Sequence, residues 1–482
     1  MPTNLVQEVE AILPSKAESI TSDSREVRKG TLFVAIQGTA QDGNRFIPQA
    51  RQAGAALIVS DQPASGADLI VPDARVALAE LAAAFYGYPS RQMKMIGVTG
   101  TSGKTTTAYL IESILKAGNL HVGLIGTVVF RHGGKVIPST HTTPGPVELQ
   151  ALLAEMRDEG CQAVVMEVSS HALKQHRADA IAFDGMVFTN LSPEHLDFHP
   201  DMEDYFQSKA MLFHGIAHES IVAGKHPFAA INADDPYGVR LLSEIESHGL
   251  RGLQATSFGF GDAAGFRGNA LKIGIEGTSG KVGDVVFKSK LMGGFNASNL
   301  MGAIAVTRGM GISPEVISRG IEAIELVPGR LEAVPNSKGI HILVDYAHKP
   351  DALEKVLTML NGVKGAGRLI TVFGCGGDRD RQKRPVMGKI AVELSDQVFI
   401  TSDNPRTEDP NAIIEEILVG TLGYQNFVVQ ADRREAIYAA LRFSQAGDIV
   451  LISGKGHENY QIIGTQKYSF DDRFIAQEAM TQ

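Results

Sequence analysis

The chain has 482 residues, 44% hydrophobic and 21% charged, with a formal net charge of −9; at roughly 100–200 residues per domain this predicts about three domains, and the acidic balance excludes a dedicated nucleic-acid binder. Two cysteines, Cys161 and Cys375, exclude a disulfide framework and, lacking a C-x-x-C pair, a structural zinc site; they fit a reducing cytosol. No run approaches the ~18–20 apolar residues of a membrane span, and the N-terminus lacks the basic start and apolar stretch of a secretory signal, so a cytoplasmic protein with no membrane insertion is expected.

In chain order, Leu32-Phe33-Val34-Ala35-Ile36 and Ala56-Leu57-Ile58-Val59 predict strands, and the alanine-rich stretch from Val76 to Phe85 predicts a helix. The cluster Gly87-Tyr88-Pro89-Ser90 marks a domain boundary. Met95-Ile96-Gly97-Val98-Thr99 predicts a strand, followed by a glycine loop and a helix from about Thr105 to Lys116. Ala163-Val164-Val165-Met166 and Met186-Val187-Phe188 are short, apolar and flanked by polar turns, the pattern of strands buried on both faces of a parallel sheet. Glycine-rich alternation from Phe266 to Leu291 predicts antiparallel hairpins, and Asn296 to Gly309 a helix.

After Val327-Pro328-Gly329-Arg330, strand candidates at Ile342–Val344, Leu369–Phe373, Gln397–Ile400 and Ile449–Ile452 alternate with helical patterns, the signature of a doubly wound domain. The expected fold is α/β in three domains, 1–88, 89–330 and 331–482. The central one has a P-loop ATPase-like parallel sheet, and the C-terminal one a Rossmann-like doubly wound sheet.

The run Gly100-Thr101-Ser102-Gly103-Lys104-Thr105-Thr106 follows a strand and opens a helix. Backbone N–H groups and the helix N-terminus there face a phosphate, Lys104 would reach the β/γ-phosphates, and the Thr105 hydroxyl would reach Mg²⁺. The eight-residue P-loop pattern would place a first glycine where Val98 stands. The letters recur at Gly277-Thr278-Ser279-Gly280-Lys281, but Val282 follows in place of Ser or Thr, and this copy reads as a hairpin turn. Glu167, at the end of a strand, reads equally as a magnesium ligand or as a solvated or salt-bridged glutamate. Taken alone, His195 reads as a hydrogen-bonded loop residue and Lys209 as a surface lysine on a helix.

Together these pieces resemble the Mur ligases, the ATP-dependent amide-bond-forming enzymes of peptidoglycan synthesis. The resemblance covers essentially the whole chain. It rests on Gly100–Thr106, Met166-Glu167-Val168-Ser169-Ser170-His171, Thr189-Asn190-Leu191 running to His195, Phe295-Asn296-Ala297-Ser298-Asn299, Pro328-Gly329-Arg330 and Val344-Asp345-Tyr346-Ala347-His348-Lys349-Pro350. Gly376-Gly377-Asp378-Arg379-Asp380, Asp403-Asn404-Pro405-Arg406 and Ser453-Gly454-Lys455-Gly456-His457-Glu458 are most similar to members that add the third amino acid of the stem peptide. In such members the Asp-Asn-Pro-Arg form goes with meso-diaminopimelate.

The resemblance implies UDP-N-acetylmuramoyl-dipeptide, meso-diaminopimelate and ATP as substrates, handled in turn by an N-terminal UDP-sugar domain, a C-terminal amino-acid domain and a central ATP domain. It implies Lys104, Glu167, His195 and Lys209 as catalytic residues. Mg²⁺ would lie on Thr105, Glu167, His195 and Lys209, the last carrying a CO₂-derived carbamate. Gly100, Thr101, Ser102, Gly103, Lys104, Thr105, Thr106, Asn299, Arg330 and Asp345 would hold the nucleotide. Ser22, Ser24, Thr39, Ala40, Gln41, Thr142, Thr143, Ser169, Gln175 and Arg177 would hold the UDP substrate, although Thr39-Ala40 and His141 depart from residues frequent in the family. Arg379, Asp403, Asn404, Pro405, Arg406, Gly454 and Glu458 would hold diaminopimelate. A guanidinium suits its distal carboxylate because it offers a planar bidentate partner that lysine, lacking that carboxylate, would leave unpaired. A monomer is expected. Competing readings are an L-lysine-adding or folate-type ligase, a small-molecule kinase, and a nucleotide-binding regulator without catalysis.

Overall fold

Four parallel strands, β1 (Ser19–Thr21), β2 (Thr31–Ala35), β3 (Leu57–Ser60) and β4 (Leu69–Ile70), form the first sheet in the order β1-β2-β3-β4 of the computed structural model, which describes residues 17–38, 41–139 and 141–481. Thr39 and Ala40 lie outside the described residues. Helices α1 (Ile47–Gln52) and α2 (Ala74–Phe85) follow β2 and β4. Asp73 caps α2 by accepting from the Arg75 and Val76 N–H groups, which have no partner inside the helix.

The chain divides into two compact units: Met1–Ala270 with Gly280–Phe287 and Ser298–Ala323, and Leu271–Ser279 with Lys288–Ala297 and Ile324–Gln482. In the first, β5 (Lys94–Thr99) leads into α3 (Lys104–Ala117). Then come β6 (Val122–Ile125), β7 (Val129–His132), β8 (Lys135–Pro138), α4 (Pro146–Asp158), β9 (Ala163–Glu167), α5 (Ser170–Lys174), β10 (Gly185–Phe188), α6 (Met202–Ala210), α7 (Gly215–Val222), β11 (Phe228–Asn232), α8 (Pro236–His248) and β12 (Gln254–Gly259).

Their sheet runs β12-β11-β10-β5-β9-β6-β7-β8; it is parallel from β12 to β6, and β7 and β8 are antiparallel. The strands β5, β9 and β10 are buried throughout apart from Lys94, which is why they read as plain apolar runs. Met95, Met166, Met186 and Phe188 join Leu149, Leu153 and Phe213 in one core.

Two-residue turns connect three further strands, β13 (Phe266–Gly274), β14 (Gly277–Val282) and β15 (Val285–Ser289), as the glycine-rich alternation predicted. One detail differs. The second Gly-Thr-Ser-Gly-Lys run is itself a strand, and the turns fall on either side of it, at 275–276 and 283–284.

In the second unit β17 (His341–Asp345), β18 (Leu369–Phe373), β19 (Gln397–Ile400), β20 (Phe427–Val429) and β21 (Ile449–Ser453) are parallel, and β16 (Glu332–Val334) is antiparallel at the edge; the order is β16-β17-β21-β18-β19-β20. Alternate residues serve opposite faces. Leu343, Leu369, Phe373 and Leu451 pack into one core, while Ile342, Ile370, Val372 and Ile452 pack into another. This is the doubly wound α/β domain the sequence predicted. No helix among the described residues is long and apolar enough to cross a membrane.

Candidate active site

The central strand β5 runs through Thr99, so Val98 lies within the sheet and the loop proper begins at Gly100. Gly100 has φ +145°, and a Cβ there would collide with the Thr189 hydroxyl; Gly103 has φ +86°, and a Cβ there would strike the Asn299 side chain. Both positions therefore require glycine. Asn190, after β10, closes the loop, accepting from Thr101 N on its carbonyl and from Ser102 N on its side chain, both at 2.9 Å. Thr189 Oγ1 donates to the Ser102 carbonyl at 2.6 Å. The loop then enters α3, whose first turn is Lys104–Thr106, at the helix end where backbone N–H groups face outward. Asn299 is buried behind the loop, 3.4 Å from Thr107 Oγ1.

Register sets Glu167 beside Val98 on the neighbouring strand. Its carboxylate is 1% exposed and accepts from Thr105 Oγ1 at 3.1 Å, Thr127 N at 2.9 Å and Thr127 Oγ1 at 3.0 Å. Glu167 is therefore not a solvated glutamate. Thr127 was not legible beforehand, because the strand leading to it, β6, has only four residues.

Lys209 is the larger departure. It reads as a surface residue, yet it is 1% exposed. Its Nζ donates to the Gly100 carbonyl at 2.9 Å and lies 4.7 Å from the centre of the Tyr205 ring. Lys104 Nζ donates to the same carbonyl at 2.8 Å and to that of Thr101 at 2.9 Å. Burial, and then the Lys104 charge, push the Lys209 amine well below the ordinary lysine value. Tyr205 ties the group together: its hydroxyl is 3.0 Å from Thr101 Oγ1, and its ring is 6.2 Å from that of His195. His195 has φ +58° and sits edge-on to His171 at 4.8 Å, with Nε2 3.4 Å from Glu194 Oε1.

A second cluster adjoins Glu167. Thr143 Oγ1 donates to the Glu167 carbonyl at 2.9 Å and accepts from Ser169 N at 3.1 Å. Thr142 Oγ1 is 3.1 Å from Thr127 Oγ1. Arg177 donates to the Thr143 carbonyl at 3.1 Å and to Gln175 Oε1 at 2.7 and 3.1 Å. Thr142, Thr143, Ser169, Gln175 and Arg177, scattered in sequence, are thus one connected group. Burial and then the nearby Arg75 lower the Arg177 value, so two guanidiniums face one region. Ser22 and Ser24 follow β1, and Gln41 follows β2, all at carboxyl ends of parallel strands, where α/β sheets hold ligands.

In the second unit, Asp345 ends β17, accepts from Ala347 N and Leu331 N at 2.8 Å each, and is raised by burial against the opposing Arg330 charge. Arg330 lies 5.3 Å from the centre of the Tyr346 ring. Asn404 is a hub: Nδ2 donates to Glu458 Oε2 at 2.9 Å, while Oδ1 accepts from Ile462 N at 2.9 Å and Lys455 Nζ at 3.2 Å. Lys455 is fully buried and 3.3 Å from Glu458 Oε2; it was not singled out from sequence. Arg406, at φ +52°, donates to the Gly377 carbonyl at 2.7 Å. A Cβ on Gly376 would meet the Arg406 guanidinium and the Arg379 stem, so both arginines flank that glycine. Pro405 is buried beside them, and a Cβ on Gly454 would meet the buried Asp403 carboxylate.

Three family models match the chain: "Mur ligase family, catalytic domain" over residues 16–86, "Mur ligase middle domain" over 98–307 and "Mur ligase, glutamate ligase domain" over 329–456. A UDP-N-acetylmuramoyl-L-alanyl-D-glutamate–2,6-diaminopimelate ligase of Geobacter metallireducens is 46% identical over 96% of this chain and 93% of its own. The protein of that name in Gloeobacter violaceus is 47% identical over 96% and 94%. A solved structure of a protein so named is 31% identical, with a TM-score of 0.72 over 96% of this chain and 95% of that one.

Proposed function

The chain belongs to the Mur ligase family, and we infer that it is the ATP-dependent ligase that joins meso-2,6-diaminopimelate to UDP-N-acetylmuramoyl-L-alanyl-D-glutamate in peptidoglycan synthesis. The observation that carries this is likeness along nearly the whole chain to ligases of that name. In the reaction the D-glutamate carboxylate attacks the γ-phosphorus of ATP and ADP leaves. The diaminopimelate amine then attacks the acyl phosphate, and phosphate departs as the amide forms.

As part of the same proposal, residues 1–88 serve the UDP sugar, 89–330 ATP and 331–482 the amino acid, in a monomeric cytoplasmic enzyme. Segments carrying Ser22, Ser24, Thr39, Ala40 and Gln41 hold the uridine end, and the Thr142, Thr143, Ser169, Gln175 and Arg177 group holds the muramoyl-dipeptide. Lys104 leaves its loop carbonyls for the phosphates, while the N–H groups of Gly100–Thr106 cradle them. Asn299, Arg330 and Asp345 serve the rest of the nucleotide.

The donors fit magnesium: Thr105 and Glu167 offer hard oxygens 3.1 Å apart, and a carbamate on Lys209 would add another. When bound, Mg²⁺ would neutralise charge where carboxylate and phosphates converge. Lys209 fits that modification because CO₂ adds only to a neutral amine, the form its surroundings favour. His195 completes the set beside Tyr205. Arg406 and Arg379 receive carboxylates of diaminopimelate, Glu458 its distal ammonium, and Asn404, between Glu458 and Lys455, holds Glu458 in place.

Mass spectrometry of the nucleotide product tests this. A gain of one diaminopimelate less one water, dependent on ATP, is expected; a phosphorylated but unextended dipeptide would favour a kinase instead.

A further inference from the structure

Outside the site described above, the hairpin His132-Gly133-Gly134-Lys135 rests against the end of α4. His132 and Lys135 are partners across the antiparallel β7–β8 pair, and the glycines between them have φ +52° and +84°. A Cβ on Gly133 would run into the Glu159 carboxylate, so the turn is seated on that residue.

The His132 side chain has no exposed surface, and its Nδ1 is 2.7 Å from Glu159 Oε2. In the neutral tautomer whose Nδ1–H donates to Glu159, Nε2 carries a lone pair. That nitrogen is buried without a hydrogen-bond partner, 3.9 Å from Glu155 Oε1. The gap is too long for an N–H···O bond. A lone pair facing a carboxylate oxygen is repulsive unless a cation lies between them. The same two glutamates already hold one cation: Lys135 Nζ is 2.7 Å from Glu155 Oε1 and in ion-pair contact with Glu159 Oε1. Its side chain is 52% exposed.

We propose that His132, Glu155 and Glu159 form a site for a divalent transition-metal ion of the Zn²⁺ type, which takes the place of the Lys135 ammonium. The three residues' ligand atoms lie within 4.8 Å of one another. Nε2 and the Glu155 carboxylate bind the ion, water fills the open positions, and Glu159 orients the imidazole through Nδ1–H, the usual carboxylate–histidine–metal arrangement. An imidazole nitrogen selects Zn²⁺ over Mg²⁺, which prefers oxygen ligands alone. The ion would clip the β7–β8 hairpin to α4.

The test uses the full chain, stripped with chelator and titrated with Zn²⁺ against a chromophoric chelator, with millimolar Mg²⁺ present and no nucleotide. Glu155 and Lys135 are partly exposed, so Glu155→Gln and Lys135→Ala both leave the core intact. Glu155→Gln should lose one Zn²⁺ equivalent or bind it at least tenfold more weakly, and Lys135→Ala should bind it at least threefold more tightly, because the competing cation is gone. A smaller effect in either variant, or no uptake by the parent chain, overturns the site.

Discussion

Lys104 and Lys209 donate to one acceptor, the Gly100 carbonyl, at 2.8 and 2.9 Å. Burial first, and the Lys104 charge second, lower the Lys209 value and favour its neutral form. The phosphate loop thus sets a second charge beside an amine that burial already biases toward the neutral form.

The proposed Lys209 carbamate is open to direct test. ¹³C-bicarbonate should give a carbamate carbon signal in the parent chain and none in Lys209→Ala, and CO₂-stripped buffer should lower the ligation rate reversibly. Lys209→Arg, permanently cationic, should lose roughly 100-fold or more in rate. Full activity of Lys209→Arg would contradict the role. Because the folded-state value is depressed, the unfolded chain binds the extra proton, so the unmodified enzyme should gain stability as pH rises toward 10.5.

Thr127→Val keeps the volume and removes the hydroxyl bond to Glu167, while the backbone bond stays. The Mg²⁺ concentration for half-maximal activity should rise roughly tenfold, as for the loss of an outer-shell partner. An unchanged Mg²⁺ titration would show that Thr127 does not orient that carboxylate.

Arg406→Ala should raise the KM for diaminopimelate by roughly 100-fold while leaving that for ATP within about threefold, because a bidentate charged contact is lost at one substrate alone. Equal effects on both would point to a folding defect.

His348 and His457 are both pushed down to about 4, chiefly by burial. Each is neutral when folded, and below pH 6.5 the unfolded chain binds more protons, so stability falls as pH drops from 6.5 toward 4, by on the order of 2 kcal/mol or more per residue. His457→Phe should flatten that decline in thermal unfolding; an identical slope would refute the assignment.

The strands around the site were legible because both-face burial leaves contiguous apolar runs, as at Ala163–Glu167 and Leu369–Phe373. Glycines at 100 and 103 were legible because left-handed backbone demands them. Lys209 was not, since α6 mixes Tyr205, Phe206, Ser208 and Lys209 on its buried side, and only tertiary packing decides which lysine loses water. Nor was Lys455, flanked by glycines and without periodicity. The second Gly-Thr-Ser-Gly-Lys run became a strand because its neighbours, not its letters, set the pairing.

The ligase assignment is tested most directly by phosphate release from ATP, Mg²⁺ and UDP-N-acetylmuramoyl-L-alanyl-D-glutamate with meso-diaminopimelate, with L-lysine and with neither. Fast release with meso-diaminopimelate and only background in the other two is predicted; release with L-lysine alone, or with no amino acid required, would contradict it.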